Sequence, residues 1–359
     1  MELASRGAGY VAPNPLVGCV IVSATGRLAG QGYHQKYGQA HAEMNALESI
    51  TDRSELTDAT VYVTLEPCMH QGKTPPCAKE LAKWPIKRVV VAMEDPTEKV
   101  GGKGIRHLRN SGIQVDVGLM EEEAREMNRF FAYFQALGRP YVTLKIAQTA
   151  DGYIAAPDGS TNWITGKESR TLVHKWRSEY DAVMIGRNTA DMDNPRLTVR
   201  HVKGRQPYRI VLDGPYELSE ELNLFNDQYE EKTIRITYSK DKAGDQADPM
   251  LNLLKPNYFR GETIIVPSVD GHIDLDDAIR KLGTRNITSL LVEAGPELAS
   301  ALLKNDLVEE LQLFIAPKLL GAGTRSLGSI GIDRLQDALS FRSYRWQQVG
   351  DDMLLTGFM

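Results

Sequence analysis

Two short segments decide the fold of the first half of this chain: HAE at residues 41–43 and TLEPCMHQGKTPPC at residues 64–77. His41, Cys68 and Cys77 offer one imidazole and two thiolates, a set of ligands that suits zinc. A catalytic zinc has three protein ligands and leaves its fourth position to water. Glu43 lies two residues beyond the histidine, close enough to handle the proton of that water. The two segments therefore predict a hydrolytic metal centre.

This spacing matches the H-x-E…P-C signature of zinc-dependent deaminases. Zinc lowers the pKa of bound water to about 7 and so provides hydroxide at neutral pH. Glu43 would take that proton and pass it to the ring nitrogen and then to the departing ammonia. Residues 69–76 separate the two cysteines, a longer interval than is usual in these enzymes. His70 could also complete a closed structural site as a fourth ligand, and the spacing leaves that alternative open.

The composition limits the classes of function. The length of 359 residues predicts two domains, since one domain usually has roughly 100–200 residues. A net charge of −5 and a pI of about 5.9 argue against nucleic-acid binding, which needs a basic face. Only three cysteines are present, which predicts no disulfide framework and a cytoplasmic location. No apolar run approaches the roughly 18 residues of a membrane span, so we expect no membrane partner.

Strands and helices alternate in the first half, which predicts an α/β fold. Apolar spacing predicts a helix over residues 41–50, with His41 and Glu43 in its first turn. A strand over residues 59–65 ends just before Cys68, and Cys77 opens a further helix. Helix starts beside strand ends are where α/β sheets place their functional sites.

Two further segments of this half carry expectations. Residues 121–137 have the pattern of one amphipathic helix. The glycine-rich residues 101–104 lack the spacing of a phosphate-binding loop, so we expect close backbone packing there.

The predicted domain boundary follows Arg139, because Gly138-Arg139-Pro140 ends the preceding helix. This gives domains of residues 1–139 and 140–359. In the second domain a strand leads through Gly295-Pro296 into a helix, whose N–H groups could bind a dinucleotide phosphate. Arg177 and Arg200 could hold a substrate phosphate by a two-point grip, or could be ordinary surface residues.

Ten segments of the chain resemble one known family nearly from end to end. This is the bifunctional riboflavin-biosynthesis family, in which a pyrimidine deaminase is fused to a 5-amino-6-(5-phosphoribosylamino)uracil reductase. The resemblance rests on PNPLVGCVIV, GYHQKYGQAHAE, VTLEPCMHQGKTPPC, DPTEKVGGKG, TLKIAQTADG, NWIT, DNPRLTVR, RIVLDG, VEAGPELASALL and FIAPKLLGAG.

The resemblance implies a fold and a function. The fold would be an N-terminal cytidine-deaminase-like three-layer α/β/α domain and a C-terminal dihydrofolate-reductase-like α/β domain. The first domain would deaminate 2,5-diamino-6-(5-phosphoribosylamino)pyrimidin-4-one with zinc. The second would use NADPH to reduce the ribosyl group of 5-amino-6-(5-phosphoribosylamino)uracil to ribityl. The family also implies a homo-oligomer.

The resemblance further implies roles for residues of this chain. His41, Cys68 and Cys77 would bind zinc, and Glu43 would be the catalytic proton carrier. The deaminase substrate would be bound by Asn14, His34, His70 and Lys73. NADPH would be bound by Ala147, Trp163, Thr189, Asp193, Gly214, Gly295, Pro296, Glu297 and Leu298. The reductase substrate would be bound by Lys145, Thr161, Arg177, Leu197, Arg200 and Glu293.

The sequence also departs from the family pattern. Met69 stands where the family commonly has serine and Thr97 where it has asparagine, which predicts a weaker hydrogen bond near the first site. The family's first helix is represented by a single marginal turn. Three alternatives stay open: a deaminase acting on a nucleoside or on a nucleic-acid base, a zinc-stabilised scaffold without activity, and a family member with one inactive domain.

Overall fold

The chain divides into unit 1, Met1–Gly138, and unit 2, Arg139–Met359. This division lies one residue before the predicted boundary. The computed structural model describes residues 1–69, 75–97, 101–160, 164–239 and 259–359. Within these ranges, no helix has both the length and the apolar character needed to cross a membrane.

A mixed sheet forms the centre of unit 1. Its strands among the described residues are β1 (Gly18–Val22), β2 (Leu28–Tyr33), β3 (Thr60–Leu65), β4 (Arg88–Met93) and β5 (Gln114–Val117). The order is β2-β1-β3-β4-β5, with β1 antiparallel to both its neighbours and β3, β4 and β5 parallel. The carboxyl ends of β3 and β4 therefore meet at one edge, where residues that follow them can converge.

Helices cover both faces of this sheet. They are α1 (Glu2–Ser5), α2 (Ala42–Glu48), α3 (Cys77–Leu81), α4 (Lys103–Asn110), α5 (Glu121–Met127) and α6 (Arg129–Leu137), with a 3₁₀ turn at Arg53–Leu56. Val61 and Val89 on one face pack with Ala46, Leu81 and Leu108 of α2, α3 and α4. On the opposite face α1 contacts β1 and α5 contacts β4. The predicted three-layer α/β/α arrangement is confirmed.

Helix α2 lies directly on the backbone of β2. A Cβ atom on Gly30 would lie 2.5 Å from the carbonyl oxygen of Ala46, and one on Gly32 would lie 2.4 Å from the nitrogen of Ala46. Real Cβ atoms do not approach backbone atoms so closely, so these two positions accept glycine alone. Glycine also weakens the pattern of a strand, which explains why LAGQGY at residues 28–33 does not predict one.

The prediction of one helix over residues 121–137 is wrong, because the helix is interrupted at Asn128. This residue lies between α5 and α6 with φ −99° and ψ 16° and is buried. Its Oδ1 accepts a hydrogen bond from the Leu16 nitrogen at 2.8 Å, and its Nδ2 donates to the Leu16 carbonyl at 3.1 Å. The interruption thus coincides with a two-point contact to a segment 112 residues away.

Unit 2 is built on a larger sheet. Its strands among the described residues are β6 (Tyr141–Thr149), β7 (Tyr153–Ala155), β8 (Ala182–Gly186), β9 (Tyr208–Leu212), β10 (Thr233–Thr237), β11 (Glu262–Ile265), β12 (Ser268–Val269), β13 (His272–Ile273), β14 (Ser289–Glu293), β15 (Glu310–Ala316), β16 (Thr324–Arg325), β17 (Ser343–Val349) and β18 (Asp352–Phe358). The order in the main sheet is β11-β10-β9-β8-β14-β6-β15-β18-β17. Strands from β11 to β15 in this order are parallel, whereas β18 is antiparallel to β15 and to β17.

The helices of unit 2 connect these parallel strands. They are α7 (Lys167–Glu179), α8 (Arg187–Asp193), α9 (Leu275–Gly283) and α10 (Pro296–Lys304), with 3₁₀ turns at Glu230–Lys232 and Leu335–Asp337. Leu144, Met184 and Leu290 belong to the apolar core between sheet and helices. Because β6, β14, β8 and β9 are adjacent and parallel, the residues that follow them lie along one edge of the sheet.

Strand β10 carries a fully buried arginine. Arg235 lies 2.8 Å from Glu220, and its guanidinium lies 4.2 Å from the Tyr216 ring centre and 4.0 Å from that of Phe225. These contacts compensate the charge that burial would otherwise leave unpaired.

Candidate active sites

The three predicted zinc ligands meet at one point of unit 1. His41 is the residue before α2, Cys68 follows β3, and Cys77 opens α3. His41 Nδ1 lies 3.6 Å from Cys68 Sγ and 3.3 Å from Cys77 Sγ, and the three ligand atoms lie within 4.8 Å of one another. Helix α2 begins at Ala42, one residue later than predicted, so His41 immediately precedes its first turn.

These distances fit a tetrahedral zinc ion. With Zn–N near 2.0–2.1 Å and Zn–S near 2.3 Å, a tetrahedral angle separates nitrogen from sulfur by about 3.5 Å. Both nitrogen–sulfur separations in the structure lie within about 0.2 Å of this value. Hydrogen bonding from Cys77 and from His41 lowers the pKa of the Cys68 thiol to about 4. The three residues therefore form a preorganised metal site in which Cys68 is a thiolate at neutral pH.

Glu43 is buried beside these ligands, in the first turn of α2. Burial, and then the negative charge of Cys68, raises the pKa of the Glu43 carboxyl to about 7. A carboxyl with a pKa near neutrality can both take and give a proton at physiological pH. The position and the pKa of Glu43 suit it to proton transfer.

Asn14 and His34 form a chain that leads to His41. His34 Nδ1 donates to the Ala40 carbonyl oxygen at 3.0 Å, so its Nε2 accepts from Asn14 Nδ2 at 3.1 Å. Burial lowers the pKa of His34, which keeps the ring neutral. The ring centres of His34 and His41 are 5.4 Å apart. This arrangement fixes the amide of Asn14 with its oxygen available as an acceptor.

Glu66 is a residue of this region that the sequence reasoning did not single out. It is buried, and its carboxylate accepts hydrogen bonds from four backbone N–H groups, those of Asp95, Gly102, Gly104 and Ile105. Its place in the EPC triplet could have drawn attention to Glu66. Its role, however, depends on partners about 30 to 40 positions further along the chain. Thr97 retains a hydrogen bond of its own, from Oγ1 to Asp95 Oδ1 at 2.6 Å.

A cavity of about 370 Å³ lies elsewhere in unit 1. Its walls include Leu3 of α1, Val20 of β1 and Ala92 of β4. It lies on the face of the sheet away from α2, so it is separate from the His41 site.

In unit 2, a buried ion pair marks the edge where the parallel strands end. Arg177 of α7 donates from Nε to Glu293 Oε1 at 2.6 Å and from Nη2 to Oε2 at 2.8 Å. Although burial opposes it, the Arg177 guanidinium lowers the pKa of Glu293 to about 2. Lys145 of β6 is level with Glu293 in the sheet register. Burial lowers the pKa of Lys145, against the effect of Glu293. Three predicted substrate residues are thus brought together.

The segment that holds Leu197 and Arg200 is fixed by side chains from its surroundings. Arg177 Nη1 donates to the Thr198 carbonyl at 3.3 Å, and His174 Nδ1 accepts from the Arg200 nitrogen at 3.1 Å. Leu197 is buried with φ +50°, an uncommon conformation for a branched residue. The segment therefore presents the Arg200 side chain from a well-defined backbone.

His174 lies among positive charges. Burial, followed by the charges of Arg177, His201 and Arg200, lowers the pKa of His174 to about 4. The same neighbourhood lowers the pKa of Arg200 through burial and then through Arg177. A cluster of positively charged side chains such as this one favours the binding of an anionic group of a ligand.

The predicted NADPH residues lie along the same edge. Gly295 precedes α10, and a Cβ there would lie 3.6 Å from Thr189 Oγ1 of α8. Leu298 lies 3.8 Å from the Cβ position of Gly186, and Glu297 accepts from Asn188 at 3.1 Å. The starts of α8 and α10 therefore lie side by side, with Pro296 in the first turn of α10.

The remaining predicted residues are less closely grouped. Ala147 lies on β6, Gly214 follows β9 with its carbonyl bonded to Thr237 Oγ1 at 2.7 Å, and Asp193 ends α8 at the surface. Four predicted residues lie outside the described residues, namely His70, Lys73, Thr161 and Trp163.

Comparisons with known proteins agree with this two-part arrangement. Residues 1–93 match the family model of the cytidine and deoxycytidylate deaminase zinc-binding region, and residues 140–355 match the RibD C-terminal domain. The riboflavin biosynthesis protein RibD of Aquifex aeolicus is 41% identical over 356 residues, which cover 99% of this chain and 95% of the relative. The Escherichia coli RibD protein is 37% identical over 369 residues, with 99% and 96% covered.

Solved structures give the same result. The diaminohydroxyphosphoribosylaminopyrimidine deaminase/5-amino-6-(5-phosphoribosylamino)uracil reductase of Thermotoga maritima superposes with a TM-score of 0.86 at 33% identity, covering 100% of this chain and 96% of the other. Acinetobacter baumannii RibD gives a TM-score of 0.84 at 34% identity, with 99% and 96% covered.

Proposed function

The chain belongs to the RibD family of bifunctional riboflavin-biosynthesis proteins, and from this membership we propose how its residues carry out the two reactions. It is a zinc-dependent deaminase and an NADPH-dependent reductase with a cytidine-deaminase-like and a dihydrofolate-reductase-like domain. Its substrates are small phosphorylated pyrimidines. It converts 2,5-diamino-6-(5-phosphoribosylamino)pyrimidin-4-one to 5-amino-6-(5-phosphoribosylamino)uracil and then reduces the ribosyl group to ribityl.

We assign the deamination to unit 1. His41, Cys68 and Cys77 would hold the zinc, which lowers the pKa of water to about 7 when bound. Glu43 would then take one proton from the water and deliver it to the pyrimidine ring nitrogen, and would carry the second proton, from the hydroxyl group added to the ring carbon, to the departing ammonia. The observation that carries this assignment is the burial of Glu43, with its pKa near neutrality, beside three zinc-type ligands.

Asn14 would orient the pyrimidine. Its Nδ2 is engaged by His34, so its Oδ1 is the atom that can accept an N–H from the ring edge. Neutral His34, held by the Ala40 carbonyl, keeps that amide from turning over. His70 and Lys73 remain further proposed contacts on the basis of the family pattern.

We assign the reduction to unit 2, where NADPH supplies the hydride. The starts of α8 and α10 would bind the cofactor, because helix N–H groups favour phosphate. Lys145, Arg200 and the Arg177–Glu293 pair would bind the phosphorylated ribosyl substrate at the end of β14, where Lys145 of β6 is level with Glu293. Thr161 and Leu197 complete the proposed substrate residues. Ala147, Trp163, Asp193 and Gly214 complete the cofactor residues.

Product mass tests both assignments in one experiment. The purified chain is incubated with the diaminopyrimidinone ribosyl phosphate, with and without NADPH. We expect replacement of one NH by O without NADPH and the gain of two hydrogens when NADPH is added. Deamination without reduction would refute the assignment of unit 2. An unchanged substrate with zinc present would refute both.

We also propose that the protein is a homo-oligomer. Large apolar side chains are exposed in one segment of unit 2: Leu319 by 81%, Leu335 by 92%, Tyr344 by 65% and Trp346 by 50%. Exposed apolar groups concentrated in this way are typical of an interface. Sedimentation should give a multiple of 39.9 kDa for the wild type and a smaller species for Trp346→Glu. A monomeric wild type would refute this proposal.

A reducing, cytoplasmic setting is part of the same proposal. Cys68 and Cys77 must stay reduced to bind zinc, and the cytoplasm keeps thiols reduced. Cell fractionation with antibodies against the chain would test the location.

A further inference from the structure

Glu66 occupies an unusual position for a charged residue. It is 3% exposed and has four backbone N–H groups as partners. Oε1 accepts from Gly104 at 2.8 Å and from Ile105 at 3.1 Å, and Oε2 accepts from Gly102 at 2.9 Å and from Asp95 at 3.2 Å. Three of these donors lie at the start of α4, where a negative charge is favoured. The carboxylate therefore joins the end of β3 to Asp95 and to the start of α4.

A second contact holds the residue that follows. A Cβ on Gly104 would lie 1.9 Å from the carbonyl oxygen of Pro67, so the first turn of α4 rests directly on that carbonyl. At Gly104 this confirms the expectation of close backbone packing in residues 101–104. The turn from Glu66 to Cys68 is thus fixed on one side by α4.

The other side of the turn is fixed by α3. The Cys68 carbonyl accepts from the Ala78 nitrogen at 3.1 Å, and the Cys68 sulfur accepts from the Cys77 nitrogen at 3.4 Å. The sulfur of Cys68 therefore lies in a turn clamped between two helices, and Glu66 supplies the polar half of the α4 contact.

We propose that Glu66 is a positioning residue of the deaminase site, whose carboxylate sets the place of the Cys68 sulfur and couples it to the start of α4. This inference rests on the proposed zinc site. Charge-assisted hydrogen bonds are the stronger class, and four of them on one carboxylate leave it little freedom. Functional groups must be held within about 0.5 Å of their working geometry, and Glu66 is two residues from the ligand.

The first test replaces Glu66 by glutamine, which has nearly the same volume. The new amide nitrogen would face two N–H groups that need an acceptor, so two of the four hydrogen bonds are lost. We expect deaminase turnover per bound zinc to fall about 10- to 100-fold, as is typical when supporting groups of a metal site are changed. The thiolate absorption band of the cobalt(II)-substituted protein should shift as well. The reductase activity of the same chain should stay unchanged.

Glu121→Gln is the matched control. This residue is partly exposed and pairs with Arg125 on the surface of α5. The control should keep both the turnover per zinc and the cobalt spectrum of the wild type.

The second test uses the wild-type chain and does not depend on a variant that folds. If Glu66 couples Cys68 to α4, removal of zinc must loosen α4, because coupling between two sites is reciprocal. We expect amide hydrogen exchange in residues 102–105 to accelerate on chelation and to recover when zinc is returned. Exchange in α7 of unit 2 provides the reference.

The outcomes separate this inference from the proposed function. A wild type that binds no zinc would overturn the zinc site and the role of Glu66 together. If the wild type is active and binds zinc, either of two results would overturn the role of Glu66 alone. In the first, Glu66→Gln keeps the wild-type turnover per zinc and cobalt spectrum, even with a lower melting temperature. In the second, the rate of amide hydrogen exchange in residues 102–105 is the same with and without zinc.

Discussion

Arg177 and Glu293 face each other across the end of β14 in a two-point ion pair, with side chains only 11% and 14% exposed. The third donor of the arginine, Nη1, is used by the Thr198 carbonyl. The guanidinium is therefore largely committed to the protein itself. Its main contribution to the reductase site is to hold Glu293 and the segment 197–200.

Replacing Glu293 by glutamine should destabilise unit 2 and impair reduction. The change leaves the buried cations Arg177 and Lys145 without their counter-charge, a loss typically worth about 3–5 kcal/mol for a buried pair. Thermal unfolding and reductase assays would measure both effects. Glu217→Gln is the control, since its pair with Arg187 is exposed and should contribute less than about 1 kcal/mol. Equal effects of the two substitutions would contradict the role of the pair.

Glu43→Gln should abolish deamination but keep the metal. Loss of a general acid–base group usually lowers the rate by about 10²–10⁴-fold, while the three zinc ligands are untouched. Turnover and zinc content are to be measured on the same sample, together with reductase activity. Glu48→Gln, exposed on the same helix, should behave as the wild type. Full activity of Glu43→Gln would rule out the assigned role.

Lowering the pH should reduce the stability of unit 2 because of the shifted pKa of His174. Its pKa is about 4 in the folded chain and 6.5 as a free group, so the unfolded chain takes up the proton first. The contribution of His174 to stability is complete above pH 6.5 and declines as the pH falls towards 4. Between about pH 7 and about pH 5 the loss is on the order of 2 kcal/mol.

Hydrogen exchange in α7 measures this loss without requiring a single unfolding transition for both units. The variant His174→Asn removes the titrating group and retains an acceptor for the Arg200 N–H. Its exchange should respond less to pH than that of the wild type. An identical pH response in both proteins would show that His174 is not the source.

Asn128→Ala should loosen the loop that carries Asn14. The two hydrogen bonds to Leu16 are lost, and leaving buried backbone groups without partners costs about 1–3 kcal/mol each. We expect a lower melting temperature of unit 1 and a higher KM for the deaminase substrate, with zinc binding retained. The exposed Asn110, changed to alanine, is the control. An unaltered KM would limit Asn128 to a role in stability.

Chelation of zinc should separate the two activities. All three proposed ligands come from unit 1, so deamination should stop while reduction of added 5-amino-6-(5-phosphoribosylamino)uracil continues. Returning zinc should restore deamination. Loss of both activities on chelation would contradict a metal confined to the His41 site.

The sequence predicts the parts of this protein that depend on local spacing. His41, Glu43, Cys68 and Cys77 could be placed because each lies next to a predicted helix start or strand end. The interruption at Asn128 could not be predicted, because the apolar periodicity continues through it and its partner, Leu16, is distant in sequence. The partners of Glu66 are backbone groups, which leave no mark in the sequence pattern. The burial of Arg235 could not be predicted, because the residues that compensate its charge are brought to it only by the fold.

The contact between Gly32 and Ala46 sets the height of α2 above the sheet by backbone atoms alone. Side chains in a core can change rotamer, but two backbone segments in direct contact cannot adjust in this way. His41 and Glu43 therefore keep a constant depth relative to β2, whatever the neighbouring side chains do. A methyl group added at position 32 would move the helix outwards, and the imidazole would then withdraw from the two sulfurs, which follow β3 and open α3. The tolerance of this enzyme to mutation should accordingly be lower at a residue with no side chain than at many residues of its core.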